Sequence, residues 1–169
     1  MRTRKSIEAT LSLMLAAASV GVPTACAQPP SFPDLSLFTE IDQNSPIIAT
    51  GRIGNIARFA TPDGLRCNAS TGLQECRSYG LGVIPAFPPT AVHLTSSSAC
   101  PSERVASSDT SSSFSYTQDC DSTTSLPILS PGQKVTMGKA VCVVGDNRLT
   151  ACTNGTHGFV IQPSGSWTF

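Results

Sequence analysis

Between Gly138 and Phe169 the chain alternates short apolar runs with polar punctuation. KAVCVV, LTACT and GFVIQ are separated by Gly145-Asp146-Asn147 and Asn154-Gly155, and Ser166–Phe169 is a last extended piece. Apolar runs of this length, bounded by Gly, Asn and Asp, are strands joined by tight turns. Cys142 and Cys152 lie five residues either side of Asn147, so folding the first turn sets them opposite each other.

A second stretch repeats the device. Ile56, Phe59 and Leu65 flank Thr61-Pro62-Asp63-Gly64, whose proline and glycine fit the second and fourth positions of a type I turn. Leu65–Cys67 then returns as a strand, and Asn68–Gln74 turns again before Cys76. Two hairpins built alike predict an all-β fold, a small disulfide-stapled β-sandwich or partly open barrel with long Ser/Pro-rich loops. Seven to nine short strands are expected.

The remaining pattern fills in around these hairpins. Ser45–Ile53 reads as a strand entered through a proline and ended near a glycine. Leu81–Pro89 holds Pro85, Pro88 and Pro89, which excludes a central strand and leaves an edge strand or a crossing loop. Val92–Leu94 is a short strand. Ser96–Thr124 has only Val105, Phe114 and Tyr116 as sizeable apolar residues and reads in part as a mobile loop. Leu126–Leu129 and Lys134–Met137 are strands separated by a Ser130-Pro131-Gly132 turn.

The N-terminus has a different grammar. Arg2, Arg4 and Lys5 precede the uncharged run Leu11–Val22, which Pro23 and Ala25-Cys26-Ala27 end, the pattern of a secretory signal peptide over residues 1–27. Cys26 gives a rival reading as a lipid anchor, although Pro23 stands where a lipobox carries Leu. Residues 28–44 form a leader segment bearing Phe32, Leu35, Leu37, Phe38 and Ile41. Asp34 either caps one helical turn there or the segment lies extended; its apolar side chains dock on the domain, with an exposed partner-binding segment as the alternative. The single β domain is placed at 45–169. No other apolar run is long enough to span a bilayer.

Cysteine and charge narrow the class. Setting Cys26 aside, six cysteines remain, and an even set in an exported chain is a disulfide framework. Sequential pairing, Cys67–Cys76, Cys100–Cys120 and Cys142–Cys152, closes one local turn or loop per bridge. No C-x-x-C is present and the two histidines lie far apart, so no metal or other cofactor is expected. After Ala27 there are eight Lys/Arg against ten Asp/Glu, and nothing clusters into a basic patch, which argues against nucleic acid or an anionic membrane surface as partner.

The ordered motifs F-x-T-P-x-G-x-x-C (Phe59–Cys67), L-x-x-G-x-x-x-x-x-G-x-x-x-C (Leu129–Cys142) and C-x-N-x-x-H-G-F (Cys152–Phe159) together resemble a family of small exported actinobacterial, mycobacterial-type six-cysteine domains of unknown function. FPDLSLFTEID followed by FATPDGLRC is similar to the mature N-terminal region of its secreted members. The resemblance covers about two-thirds of the chain after Ala27. It implies export and disulfide bonding, and it carries no catalytic residues. Thr156 stands where many members of the family have glycine.

Candidate chemistry is sparse. His157, between glycines in NGTHGF, is a ligand-contact candidate, as is Trp167; a hydrolase would need His157 beside a nucleophile and an orienting carboxylate. His93 reads as a strand residue. Asp109, Asp119 and Asp121 read as solvated loop charges with no EF-hand spacing. Asn68-Ala69-Ser70 and Asn154-Gly155-Thr156 match the glycosylation pattern by accident, and the second is already a turn. The expectation is therefore a secreted or cell-envelope binding module, not an enzyme, whose partner is a protein or cell-wall component. An extracytoplasmic hydrolase using His157 and an inhibitor-like protein presenting the serine-rich loop are the alternatives.

Overall fold

A computed structural model describes residues 31–52, 54–88, 100–118, 120 and 124–169. The residues assigned to the signal peptide, Cys26, His93, Asp119 and Asp121 lie outside the described residues. The described chain folds into two packed six-stranded sheets that do not close into a barrel, so of the two all-β architectures expected the sandwich is the one formed.

Sheet I has the order β1-β8-β9-β10-β11-β12. It comprises β1 (Thr39–Glu40), β8 (Gln133–Met137), β9 (Ala140–Gly145), β10 (Leu149–Thr153), β11 (Gly158–Gln162) and β12 (Gly165–Thr168). Sheet II is the plain meander β2-β3-β4-β5-β6-β7. Its strands are β2 (Ile48–Gly51), β3 (Gly54–Ala60), β4 (Arg66–Ala69), β5 (Leu73–Arg77), β6 (Pro101–Ser108) and β7 (Ser112–Gln118). Every pairing is antiparallel except β1 with β8.

The four C-terminal strands stand where the apolar runs put them. The first turn is shifted by one residue. Leu149 N–H donates to Asp146 O at 3.2 Å, and the central pair Asn147 and Arg148 have φ of 55° and 60°. Both lie in the left-handed region, and the pairing of Gly145 with Leu149 leaves Asp146–Arg148 as a three-residue connection. Arg148 takes a left-handed conformation there that costs a non-glycine residue about 1 kcal/mol. The Thr61–Gly64 turn forms as read, with Gly64 N–H donating to Thr61 O at 3.0 Å.

All three disulfides pair sequentially: Cys67–Cys76, Cys100–Cys120 and Cys142–Cys152. Cys67 stands directly opposite Cys76, and Cys142 opposite Cys152, with Cα atoms 4.1 Å apart in each pair. Such a short separation belongs to the narrow, non-hydrogen-bonded rungs of an antiparallel ladder. Both bridges join the third and fourth strands of their sheet and point inward, where all four cysteines are fully buried. They share one core with Phe59, Leu65, Leu129, Val135, Phe159 and Ile161.

Three expectations are corrected. The serine-rich stretch is not a loop between its cysteines: β6 and β7 form a hairpin from Pro101 to Gln118. Its inward positions include Glu103, Ser107 and Ser112 beside Val105 and Phe114, so the alternation is one of direction and barely one of hydropathy. Leu126–Leu129 is not a regular strand. Pro127 has no N–H to give a ladder, and the segment instead brackets one residue, with Ala60 N–H donating to Pro127 O and Leu129 N–H to Ala60 O. The described strands number twelve, more than the seven to nine expected, because the sequence hides the hairpin and the two-residue β1.

The leader is part of the sheet. Asp34 accepts from Ser36 N–H at 2.9 Å and caps a single 3₁₀ turn, Leu35–Leu37. Thr39 and Glu40 then pair with Gln133 and Lys134, and Ile41 enters the core. Leu81–Pro88 is a crossing loop. Ile84 is buried, and Phe87 packs edge-on against Phe114 at 5.4 Å and tilted against Tyr116 at 4.9 Å. The Glu103 carboxylate holds this loop by accepting from Gly82, Val83 and Ile84 N–H at 2.7, 3.1 and 2.8 Å.

Candidate functional site

His157 ends the β10–β11 connection, and its backbone explains why. Its N–H donates to Asn154 Oδ1 at 2.8 Å and its carbonyl accepts from Asn154 N–H at 3.0 Å and Thr153 Oγ1 at 3.0 Å. Asn154-Gly155 is therefore part of a four-residue loop and not a two-residue turn. Asn154 is tied further by its amide to Ser108 O and Asp109 Oδ1. Gly158 must lack a side chain, because a Cβ there would fall 2.5 Å from the Phe169 ring and 2.6 Å from Cys152 O. The HGF triplet is thus a packing device that seats the C-terminal aromatic. Among the described residues no hydroxyl or carboxylate bonds the half-buried His157 imidazole.

Trp167 lies elsewhere, on the outward face of β12 opposite Val160. It joins a second apolar cluster on the outer face of sheet I, with Val143, Ala151 and Val160 at its centre and Phe32, Leu35 and Phe38 laid over them. Phe32 meets Phe169 edge-on at 5.9 Å, and Lys134 Nζ donates to Leu35 O at 2.9 Å. The two sequence candidates are thus not brought into one site: His157 sits in a turn, and Trp167 packs beneath the chain's own N-terminal segment.

The outer face of sheet II is different in kind. Strand register sets Arg66 opposite Arg77 and Arg77 opposite Arg104, three guanidinium side chains in one row across β4, β5 and β6. The next row runs Arg58, Asn68, Glu75, Ala106. Like charges directly opposite one another repel, so the row needs an anchor. Glu75 supplies it. Its carboxylate bonds Arg77 Nη2 at 2.8 Å, Arg104 Nη2 at 2.7 Å and Nε at 2.8 Å, and accepts from Asn68 Nδ2 at 3.2 Å. The glutamate side chain is only 6% exposed beneath these partners.

Burial by itself would raise the Glu75 pKa. The hydrogen bond and charge of Arg104, with Arg77 and Asn68 behind them, outweigh it and hold the carboxyl below the ordinary glutamate value. Arg66 lies over the Tyr79 ring with its guanidinium carbon 4.5 Å from the centroid, a cation–π arrangement. Arg66, Arg77 and Tyr79 have further partners besides these. The row is an ordered structure and not a set of idle side chains.

This corrects the view that positive charge is dispersed. It is dispersed along the chain, but four of the eight cationic side chains after Ala27 share one face. No sequence signal could have found them, since nothing in the spacing of Arg58, Arg66, Arg77 and Arg104 states the register of four strands.

Concavities are shallow. An open groove of about 580 Å³ runs along the β1 edge of sheet I, lined by Glu40, Asp42, Asn44, Ser45, Ile128 and Gln133 among others. A smaller crevice of about 120 Å³ lies between the Asp63 and Asp146 turns, where Arg148 Nε approaches Asp63 Oδ2 at 3.6 Å. Neither is lined by His157 or Trp167. Among the described residues no cluster of three or more His, Cys, Asp or Glu could hold a metal ion, and no helix is long and apolar enough to cross a membrane. No family model, curated protein or solved structure matches the chain.

Proposed function

We propose that this chain is an exported binding domain of the cell envelope or the secreted fraction, acting without catalysis through a rigid sheet face. The observation that carries the reading is the asymmetry of the two outer faces. One is covered by the chain's own N-terminal segment; the other presents ordered arginine side chains around a buried glutamate. Three disulfides fit an oxidising, extracytoplasmic location. The signal-peptide pattern at residues 1–27 and the resemblance to exported six-cysteine domains point the same way.

Expression of the full chain in a bacterial host tests both halves. Export is supported by a mature mass beginning at Gln28, or by a diacylglycerol adduct on Cys26, with no free thiol among the six domain cysteines. Retention in the cytoplasm as a reduced protein overturns it. The purified oxidised protein is expected to be inert towards ester and peptide substrates. Turnover that disappears in His157→Ala would replace the binding reading with the hydrolase.

A further inference from the structure

The one bridge that lies outside the core is also a modification site: we infer that Cys120 exchanges with a small external thiol, and that the exchange loosens the crossing loop Leu81–Pro88. Two of the three disulfides are fully buried, whereas Cys120 is exposed and Cys100 half-buried. An exposed bridge is the one a thiolate can reach, and it opens at a less reducing poise than a buried one. The external thiolate attacks Cys120 Sγ. A new sulfur–sulfur bond forms there, the Cys120–Cys100 bond breaks, and the electron pair leaves on Cys100 Sγ, which takes up a proton. One disulfide replaces another, so no oxidant or reductant is needed beyond the thiol itself. Attack by the Cys100 thiolate reverses the step and expels the modifying thiol.

The position of the bridge sets what its opening does. Cys100 and Cys120 close the open end of the β6–β7 hairpin, and β7 is an edge strand of sheet II, paired on one side only. The rung next to the bridge is Pro101–Gln118, where proline has no N–H to give. The second rung, Ser102–Thr117, adds a hydroxyl contact of 2.7 Å. The third is Glu103–Tyr116, and both of its residues hold the crossing loop. The Glu103 carboxylate accepts from Gly82, Val83 and Ile84 N–H, and Tyr116 packs on the Phe87 ring. An edge hairpin end that loses its staple frays from that end inwards. Fraying by three rungs reaches Glu103, so the loop loosens first at Gly82–Ile84. Its far part keeps other anchors, Phe114 against Phe87 and the Ser166 Oγ bond to Pro85 O at 2.6 Å. Neither core bridge touches this chain of contacts, since both lie between the third and fourth strands of their sheets.

The experiment uses the full oxidised protein and glutathione as probe, in buffers of graded reduced-to-oxidised ratio, with N-ethylmaleimide added to trap free thiols before peptide mapping. One glutathione is expected on Cys120 and one maleimide on Cys100, at ratios that leave Cys67–Cys76 and Cys142–Cys152 closed. Hydrogen exchange on the trapped adduct should then show Gly82, Val83 and Ile84 amides losing protection while those of β9 and β10 keep theirs. The double variant Cys100→Ser, Cys120→Ser should show the same pattern of exchange and take up no glutathione. Glutathione on Cys100 with maleimide on Cys120 overturns the assignment of the attacked sulfur. A bridge that opens only together with the core pair overturns the site. Unchanged protection at Gly82–Ile84 in the trapped adduct overturns the coupling to the loop, and the adduct decides this by itself if the double variant does not fold.

Discussion

The two sheets are built to one plan inside and to two plans outside. Each has six strands, each is stapled between its third and fourth, and each staple is fully buried in the shared core. Their solvent sides differ sharply. Sheet I turns Val143, Ala151, Val160 and Trp167 outward and covers them with Phe32, Leu35 and Phe38. Sheet II turns out Arg58, Arg66, Glu75, Arg77 and Arg104 and needs no apolar cover. The interior makes the fold, and the exterior decides what each sheet is available for. A face that must be covered by its own chain is a structural face. A face held in order by ion pairs needs no such cover.

The equivalence of the interiors predicts the largest effects. Replacing Cys67 and Cys76 by Ala, or Cys142 and Cys152 by Ala, should cost about 2.6 kcal/mol each from loop closure, because closed loops of nearly equal size forfeit nearly equal entropy. Loss of packing adds to both. Urea unfolding of the two double variants checks this. A large difference between them would break the equivalence and name one hairpin as the dominant one. The third bridge should behave differently. Cys120 is exposed and Cys100 only half-buried, so limited dithiothreitol should open Cys100–Cys120 while the two core bridges stay closed. Alkylation and mass mapping read the order directly, and early opening of a core bridge would contradict the burial.

The covered face gives the next effect. Phe38→Ala removes an aromatic from the apolar cluster but leaves the β1–β8 backbone pairing, and the side chain is only partly buried. A loss of about 2 kcal/mol is expected, below the range for fully buried phenylalanines. Hydrogen exchange should show the amides of Thr39 and Ile41, which donate to Gly132 O and Lys134 O, losing protection before those of β9 and β10. Unchanged stability would mean that the N-terminal segment does not hold this face closed.

What the sequence made legible, and what it hid, follows the same division. The C-terminal hairpins could be read because Val141–Val144 and Phe159–Ile161 are continuous apolar runs between turn residues. The Cys142–Cys152 pair could be read because the two cysteines are symmetric about a turn. The β6–β7 hairpin could not, because its inward side mixes Glu103, Ser107 and Ser112 with Val105 and Phe114. Ser112 Oγ bonds Ser107 Oγ at 3.0 Å, and on the other side Ser102 Oγ bonds Thr117 Oγ1 at 2.7 Å, so polar side chains satisfy one another where apolar ones were sought. The arginine row was hidden for a different reason. Its members come from four strands, and only the paired registers make them neighbours. His157 drew attention by its glycines, yet Gly158 is there to admit Phe169.

The smallest effect probes the open face itself. In the folded protein the Glu75 carboxyl titrates below its ordinary range, held down against burial by Arg104, Arg77 and Asn68. A group with a depressed folded pKa contributes stability above its unfolded pKa and loses it as pH falls through the folded value. At pH 7 the contribution is therefore complete. It lies between that of an exposed pair and that of a fully buried one, since Arg77 and Arg104 side chains remain 33% and 28% exposed. Glu75→Gln should lose about 1–2 kcal/mol at pH 7 by urea unfolding, and the gap to wild type should narrow steadily on acidification below the ordinary glutamate range. A gap that widens in acid would show that Glu75 is not what holds the guanidiniums in line, and the contrast between a face fastened by apolar cover and one fastened by charge would fall with it.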